Sequence, residues 1–171
     1  MNDLTTTTTL ATTYAMYLLE LTKLKGVRES AETLVAAGSD LPTLVDLMNL
    51  PDEVSREDVL RLLESVLSDA RAEVPNPLEA RRIVARHYAR QIVAGALSPY
   101  EGARKIWWEL WTDCRELKEL TAFAGLASEY EDDTSETHRA EYERDIVREA
   151  RALCNDAERG ISPITGAEES I

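Results

Sequence analysis

Residues 76–114 read NPLEARRIVARHYARQIVAGALSPYEGARKIWWELWTDC, and the architecture follows from how this stretch starts and stops. One start signal occurs twice. Asn76 precedes Pro77 and Glu79, and Ser98 precedes Pro99 and Glu101. In each, a short polar side chain caps a helix and proline takes the first helical position, where its missing N–H costs nothing. The glutamate three residues after the cap is placed to bond back to the cap amide. Gly95 stops the first helix. The second carries Ile106, Trp107, Leu110, Trp111 and Cys114 on one stripe at helical spacing.

Helical periodicity continues on both sides. Downstream, a short helix spans about 121–129 with Phe123, Leu126 and Ala127 apolar, and Glu131-Asp132-Asp133 makes an acidic corner. A last helix over about 135–159 turns Tyr142, Ile146, Ala150, Leu153 and Ala157 inward and ends at Gly160. Residues 161–171 read as a flexible tail. Upstream, Val74-Pro75-Asn76-Pro77 is a tight corner. Ser55, with Asp58 in the capping-box slot, starts a helix whose stripe is Val59, Leu62, Leu63, Val66, Leu67 and Ala70. Residues 41–50 form a short helical piece with Pro42 in its first turn. Gly26 and Gly38 bracket another helix containing Leu34 and Val35. A first helix runs from Leu10 toward Gly26 through Tyr14, Tyr17, Leu18, Leu21 and Leu24. Thr5–Thr9, β-branched and poor in helix propensity, is expected to fray or cap. No period-2 segment and no Asn-Gly or Asp-Gly hairpin signal occurs. The expectation is an all-α, single-domain irregular bundle of about seven helices over 1–160, with halves 10–74 and 76–160 sharing one core.

Composition agrees with a globular chain: 171 residues, 44% hydrophobic and 30% charged. Nineteen Lys and Arg face 32 Asp and Glu, a formal net charge of −13. Such a balance argues against binding a nucleic-acid backbone, which needs clustered cations, and suits a basic protein partner. The charge is uneven. Residues 76–105 are net +4, whereas residues 106–133 are net −6. Arg82, Arg86 and Arg90, spaced by four with Arg81 beside them, share a helix face whose simplest role is pairing with acidic residues. Cys114 and Cys154 are too few for a disulfide framework or a Cys-rich zinc module. No basic and apolar leader opens the chain, and residues 10–24 are too polar to span a bilayer. A cytoplasmic protein with reduced thiols, no membrane partner and no cofactor is expected.

Several groups are candidates for function. Trp107 and Trp111 belong on the inward stripe. Trp108 lies about 100° off it, either under a neighbouring helix or exposed as an interface anchor with Tyr100 nearby. Glu129, Glu131, Asp132, Asp133 and Glu136 gather at the acidic corner, suited to steering a cationic partner. A dinuclear metal site needs paired Glu-x-x-His motifs, and neither His87 nor His138 has Glu three residues before it, so no metal is expected. No Gly-x-Ser-x-Gly, P-loop, Rossmann glycine pattern or His-Glu-x-x-His occurs.

Two resemblances add to this. The segment Ile92–Leu110, IVAGALSPYEGARKIWWEL, resembles the helical immunity proteins of the colicin and pyocin type. That resemblance implies a small acidic helical protein that neutralises a basic toxin by covering its active site. Arg82 and His87, four residues between them, resemble the Arg-His spacing of the HEPN ribonucleases. That would make them a phosphate-polarising and proton-moving pair in RNA cleavage, although Ile83 stands where a polar residue is usual. The leading expectation is a non-enzymatic acidic protein-binding module, immunity- or antitoxin-like. A HEPN-like ribonuclease, a DNA-mimicking anti-defence protein and a homo-oligomer built on the Trp-bearing helix are the other readings.

Overall fold

The structure, a computed structural model, describes residues 3–159. Among them are eight α-helices and no strand: α1 (Asp3–Leu18), α2 (Leu24–Ala36), α3 (Thr43–Met48), α4 (Arg56–Asp69), α5 (Pro77–Val93), α6 (Pro99–Lys105), α7 (Thr121–Asp132) and α8 (Glu136–Arg159). A π-helical segment, Ile106–Trp111, continues α6, and a 3-10 turn, Lys118–Leu120, leads into α7. The all-α expectation holds, with one α-helix more than the seven read from the sequence. No described helix is long and apolar enough to cross a membrane.

The chain divides into two compact units, changing over between His87 and Tyr88 inside α5. In the first, α1 packs on α2 and α4, and α3 packs on α2 and α4. Leu10 and Tyr14, Val27 and Leu34, Leu44 and Leu47, and Val59, Leu63, Val66 and Leu67 make one buried cluster. The α4 members recur at i, i+4, i+7 and i+8, the spacing of one helix face. The Tyr14 hydroxyl donates to Glu64 Oε1 at 3.2 Å. In the second unit, α6, α7 and α8 pack on one another. Ala103, Ile106, Leu110, Leu117, Leu120, Phe123, Ala127, Ile146 and Ala150 are fully buried there.

The caps form much as the sequence implies. Ser55 accepts from the Asp58 amide, Asn76 from the amides of Leu78 and Glu79, and Ser98 from that of Glu101. Asp58 and Glu101 close their boxes differently, their carboxylates accepting from the cap hydroxyls at 2.7 Å.

Four expectations are corrected. Thr5–Thr9 lies within α1, where packing of Leu10 and Tyr14 in the core outweighs poor local propensity; Thr8, Thr12 and Thr13 place their hydroxyls on the carbonyls of Leu4, Thr8 and Thr9, one turn back. The first helix ends at Leu18, well before Gly26. Glu20 takes the left-handed conformation there (φ 60°), and Gly26 sits inside α2. The helix after Ser98 is not α-helical to Cys114. It widens into the π segment, where the Thr112 amide and hydroxyl both donate to the Trp107 carbonyl, at 3.0 and 2.9 Å. Cys114 therefore lies past the helix, half-buried, rather than on its apolar stripe. Ala157, Gly160 and the expected tail at 161–171 fall outside the residues whose side chains are described.

Candidate functional site

The residues singled out at the α6–α7 end of the second unit form a connected set. The Tyr100 hydroxyl donates to Glu131 Oε1 at 2.8 Å. Arg104, one turn along α6, brings its Nε to 3.6 Å from the same oxygen. The Tyr100 ring stacks on Tyr130 of α7, with centroids 4.3 Å apart and planes 15° from parallel. The hydrogen bond to the Glu131 carboxylate is the main cause pushing the Tyr100 hydroxyl above its ordinary value of 10.0. Tyr100 thus stays a neutral donor, holding α6 to α7.

Trp108 follows Arg104 by one further turn. It is 53% exposed and stacks on Trp107 at 4.7 Å. Ile106 and Leu110 carry the buried side of this segment, while Trp107 and Trp111 are half-buried. The segment is anchored from beneath. The buried Tyr88 hydroxyl donates to Glu109 Oε2 at 2.6 Å, and Lys105 Nζ lies 3.0 Å from Glu109 Oε1 and 5.2 Å from the Tyr88 ring centroid. Burial, reinforced by Glu109, pushes the Tyr88 hydroxyl far up, so it stays protonated. Arg115 lies 5.3 Å from the Trp111 centroid. The indole Nε1 of Trp111 is buried without a hydrogen-bond partner among the described residues.

The acidic corner divides by role. Glu131 is tied to Tyr100 and Arg104. Asp133 is the hub of the turn into α8: it accepts from the Ser135 amide at 2.7 Å, pairs with His138 Nδ1 at 2.8 Å and is approached by the Tyr142 hydroxyl at 3.4 Å. The Ser135 amide first, and then His138, hold the Asp133 carboxyl below the usual carboxylate value. Arg139 donates to the Asp133 carbonyl and sits 5.1 Å from the Tyr130 ring. Glu129, Asp132 and Glu136 are exposed and enter no ion pair among the described residues. They are the carboxylates of this corner that stay in solvent without an ion pair among the described residues.

The arginine-rich face of α5 is half-buried through Arg81, Arg82 and Arg86. Arg82 and Arg86 both reach Glu79 on their own helix, at 3.5 and 3.1 Å. Arg82 and the half-buried His87 are five residues apart, about 140° around the helix, so they leave α5 in different directions. Among the described residues no group of three or more His, Cys, Asp or Glu is placed to hold a metal ion.

No protein-family model, curated protein or solved structure matches the chain. Three features escape the sequence reading: the π segment, Tyr130 as the partner of Tyr100, and the Tyr88–Glu109–Lys105 network. Only the Lys105–Glu109 spacing of four leaves a trace in the sequence.

Proposed function

We propose that this chain is a non-enzymatic protein-binding module that inhibits a basic partner, in the manner of an immunity protein or antitoxin. The observation that carries the reading is Trp108. A large aromatic is left in solvent, yet it is fixed by stacking on Trp107 and by the network under the π segment. Rigid exposed tryptophans suit the centre of a protein interface, because they bury much area and lose little conformational freedom. π-Helical turns, costly to form, also recur at functional sites. The net charge of −13 and the unpaired Glu129, Asp132 and Glu136 supply long-range attraction for a cationic surface.

Affinity capture from source-cell lysate, repeated at low and high salt, tests this. The wild type should retain one basic protein more strongly at low salt. Trp108→Ala should weaken binding of that protein by about 2–4 kcal/mol through faster dissociation. The Glu129→Gln, Asp132→Asn, Glu136→Gln triple variant should mainly slow association. A partner bound equally by wild type and both variants would place the interface elsewhere.

A further inference from the structure

Three aromatic rings of the second unit carry a cation from their own chain. Lys105 Nζ lies 5.2 Å from the centroid of Tyr88, the Arg115 guanidinium 5.3 Å from that of Trp111, and the Arg139 guanidinium 5.1 Å from that of Tyr130. All fall within the roughly 6 Å over which a ring face attracts a cation.

Trp108 differs. It is the only exposed aromatic among the described residues, and no cation among them lies over its ring. Trp107 stacks on one face, which leaves the other to solvent. The cations nearest along the chain are committed elsewhere. Arg104 approaches Glu131 at 3.6 Å, Lys105 lies 3.0 Å from Glu109 Oε1, and Arg115 covers Trp111. Asp113, just past the π segment, is exposed and enters no ion pair among the described residues. It follows Trp108 by five residues, about one turn of a π-helix. The nearest unspent charge along this segment is therefore negative.

We propose that the open face of Trp108 seats an arginine side chain of the partner protein, with Asp113 pairing its guanidinium from the side. This rests on the protein-binding reading and gives the partner's chemistry at that anchor. A guanidinium is planar and weakly hydrated, so it can lie flat on an indole while its edge N–H groups still bond a carboxylate. A lysine ammonium, a strongly hydrated point charge, gains less from the same ring. The net charge of −13 supplies the attraction that brings such a side chain in.

Fluorescence anisotropy of labelled octa-arginine and octa-lysine, titrated with the full chain at low salt, tests it with two probes of equal charge. The wild type should bind octa-arginine about two- to fivefold more tightly than octa-lysine, the worth of one cation–π contact at an exposed site. Trp108→Leu keeps an apolar side chain without a π face and should bring the two peptides level. Trp108→Tyr should retain part of the preference. Asp113→Asn should weaken octa-arginine more than octa-lysine. Both positions are exposed, and unchanged far-UV circular dichroism would confirm folding. An arginine preference that survives Trp108→Leu would place the guanidinium elsewhere and overturn the proposal. Equal, salt-sensitive binding of both peptides to the wild type would also overturn it, while leaving the acidic attraction of the protein-binding reading intact. Failure of both peptides to bind would overturn the proposal together with that attraction.

Discussion

Glu20, Gly38, Arg71 and Gly95 all hold positive φ just past the ends of α1, α2, α4 and α5, and each helix closes with the same pair of back-bonds. For Glu20 these are its own amide to Tyr17 and the Leu21 amide to Met16, at 3.1 and 2.8 Å. An L-residue in this conformation costs about 1 kcal/mol that glycine avoids. Glu20→Gly should therefore raise stability by about 0.5–1 kcal/mol in urea unfolding. The loss it must offset is small, because the ion pair from Glu20 to Arg56 is 3.6 Å long and exposed. An unchanged or lower midpoint would show that α1 draws more from that pair than its exposure suggests. The same comparison explains what a sequence reader can see. Gly38 and Gly95 mark their helix ends plainly, whereas Glu20 and Arg71 carry no such sign, and Gly26 attracts attention while doing something else. Asp133 gives a second prediction at this scale. Its carboxyl is held below the usual 3.8, first by the Ser135 amide and then by His138. A depressed folded value stabilises the protein above the unfolded value, and the contribution drains as pH falls through the folded one. Asp133→Asn should lower the urea midpoint near pH 6 and converge on wild type toward pH 3. Parallel losses at both pH values would mean that packing, not charge, is what the carboxylate provides.

At the scale of elements, α6 and the π segment show where packing overrides a pattern that is clear in sequence. Ser98-Pro99-x-Glu101 fixes the start of α6, and the cap forms as its spacing implies. Nothing in IWWELW announces that the helix widens. That outcome depends on burying Ile106 and Leu110 together, on Glu109 reaching Tyr88, and on Thr112 bonding the Trp107 carbonyl. Tyr88 comes from the preceding helix, so a local pattern is silent about it. The approach of α5 to α6 is equally invisible except as Gly102. A Cβ at this buried glycine would run into the Ile92 side chain and come within 3.3 Å of Leu97 Cδ2. Gly102→Ala, favourable in an exposed helix, should here cost about 1–3 kcal/mol through overpacking. The double variant Gly102→Ala, Ile92→Ala should recover part of the first loss if the clash is the cause, and losses that simply add would refute it. The candidate site shows the same division. Tyr100, Trp108 and Glu131 are legible as residue types, but the contact of Tyr100 with Glu131 needs α7 to bring Tyr130 and Glu131 against α6.

For the whole molecule, the all-α class was plain because helical periodicity and caps recur along nearly the entire chain, and neither depends on distant contacts. Net charge is a property of the same scale, and its two consequences carry opposite signs. At −13 the folded chain repels itself, while the ion pairs among its described residues are largely exposed, many of them three or four residues apart on one helix. Such pairs contribute little, so screening should relieve more repulsion than attraction. Raising NaCl from about 0.01 M to 0.15 M shortens the screening length from about 30 Å to about 8 Å. The thermal midpoint followed by far-UV circular dichroism should therefore rise over this range. Association with a cationic partner should weaken over the same range, because the unpaired carboxylates then attract less. The two measurements separate explanations that either alone would confuse. If stability and binding both fell, the acidic groups would act mainly through internal pairs, and lost binding at high salt would report a loosened fold. A rising midpoint with weakening association assigns the surface carboxylates to the partner.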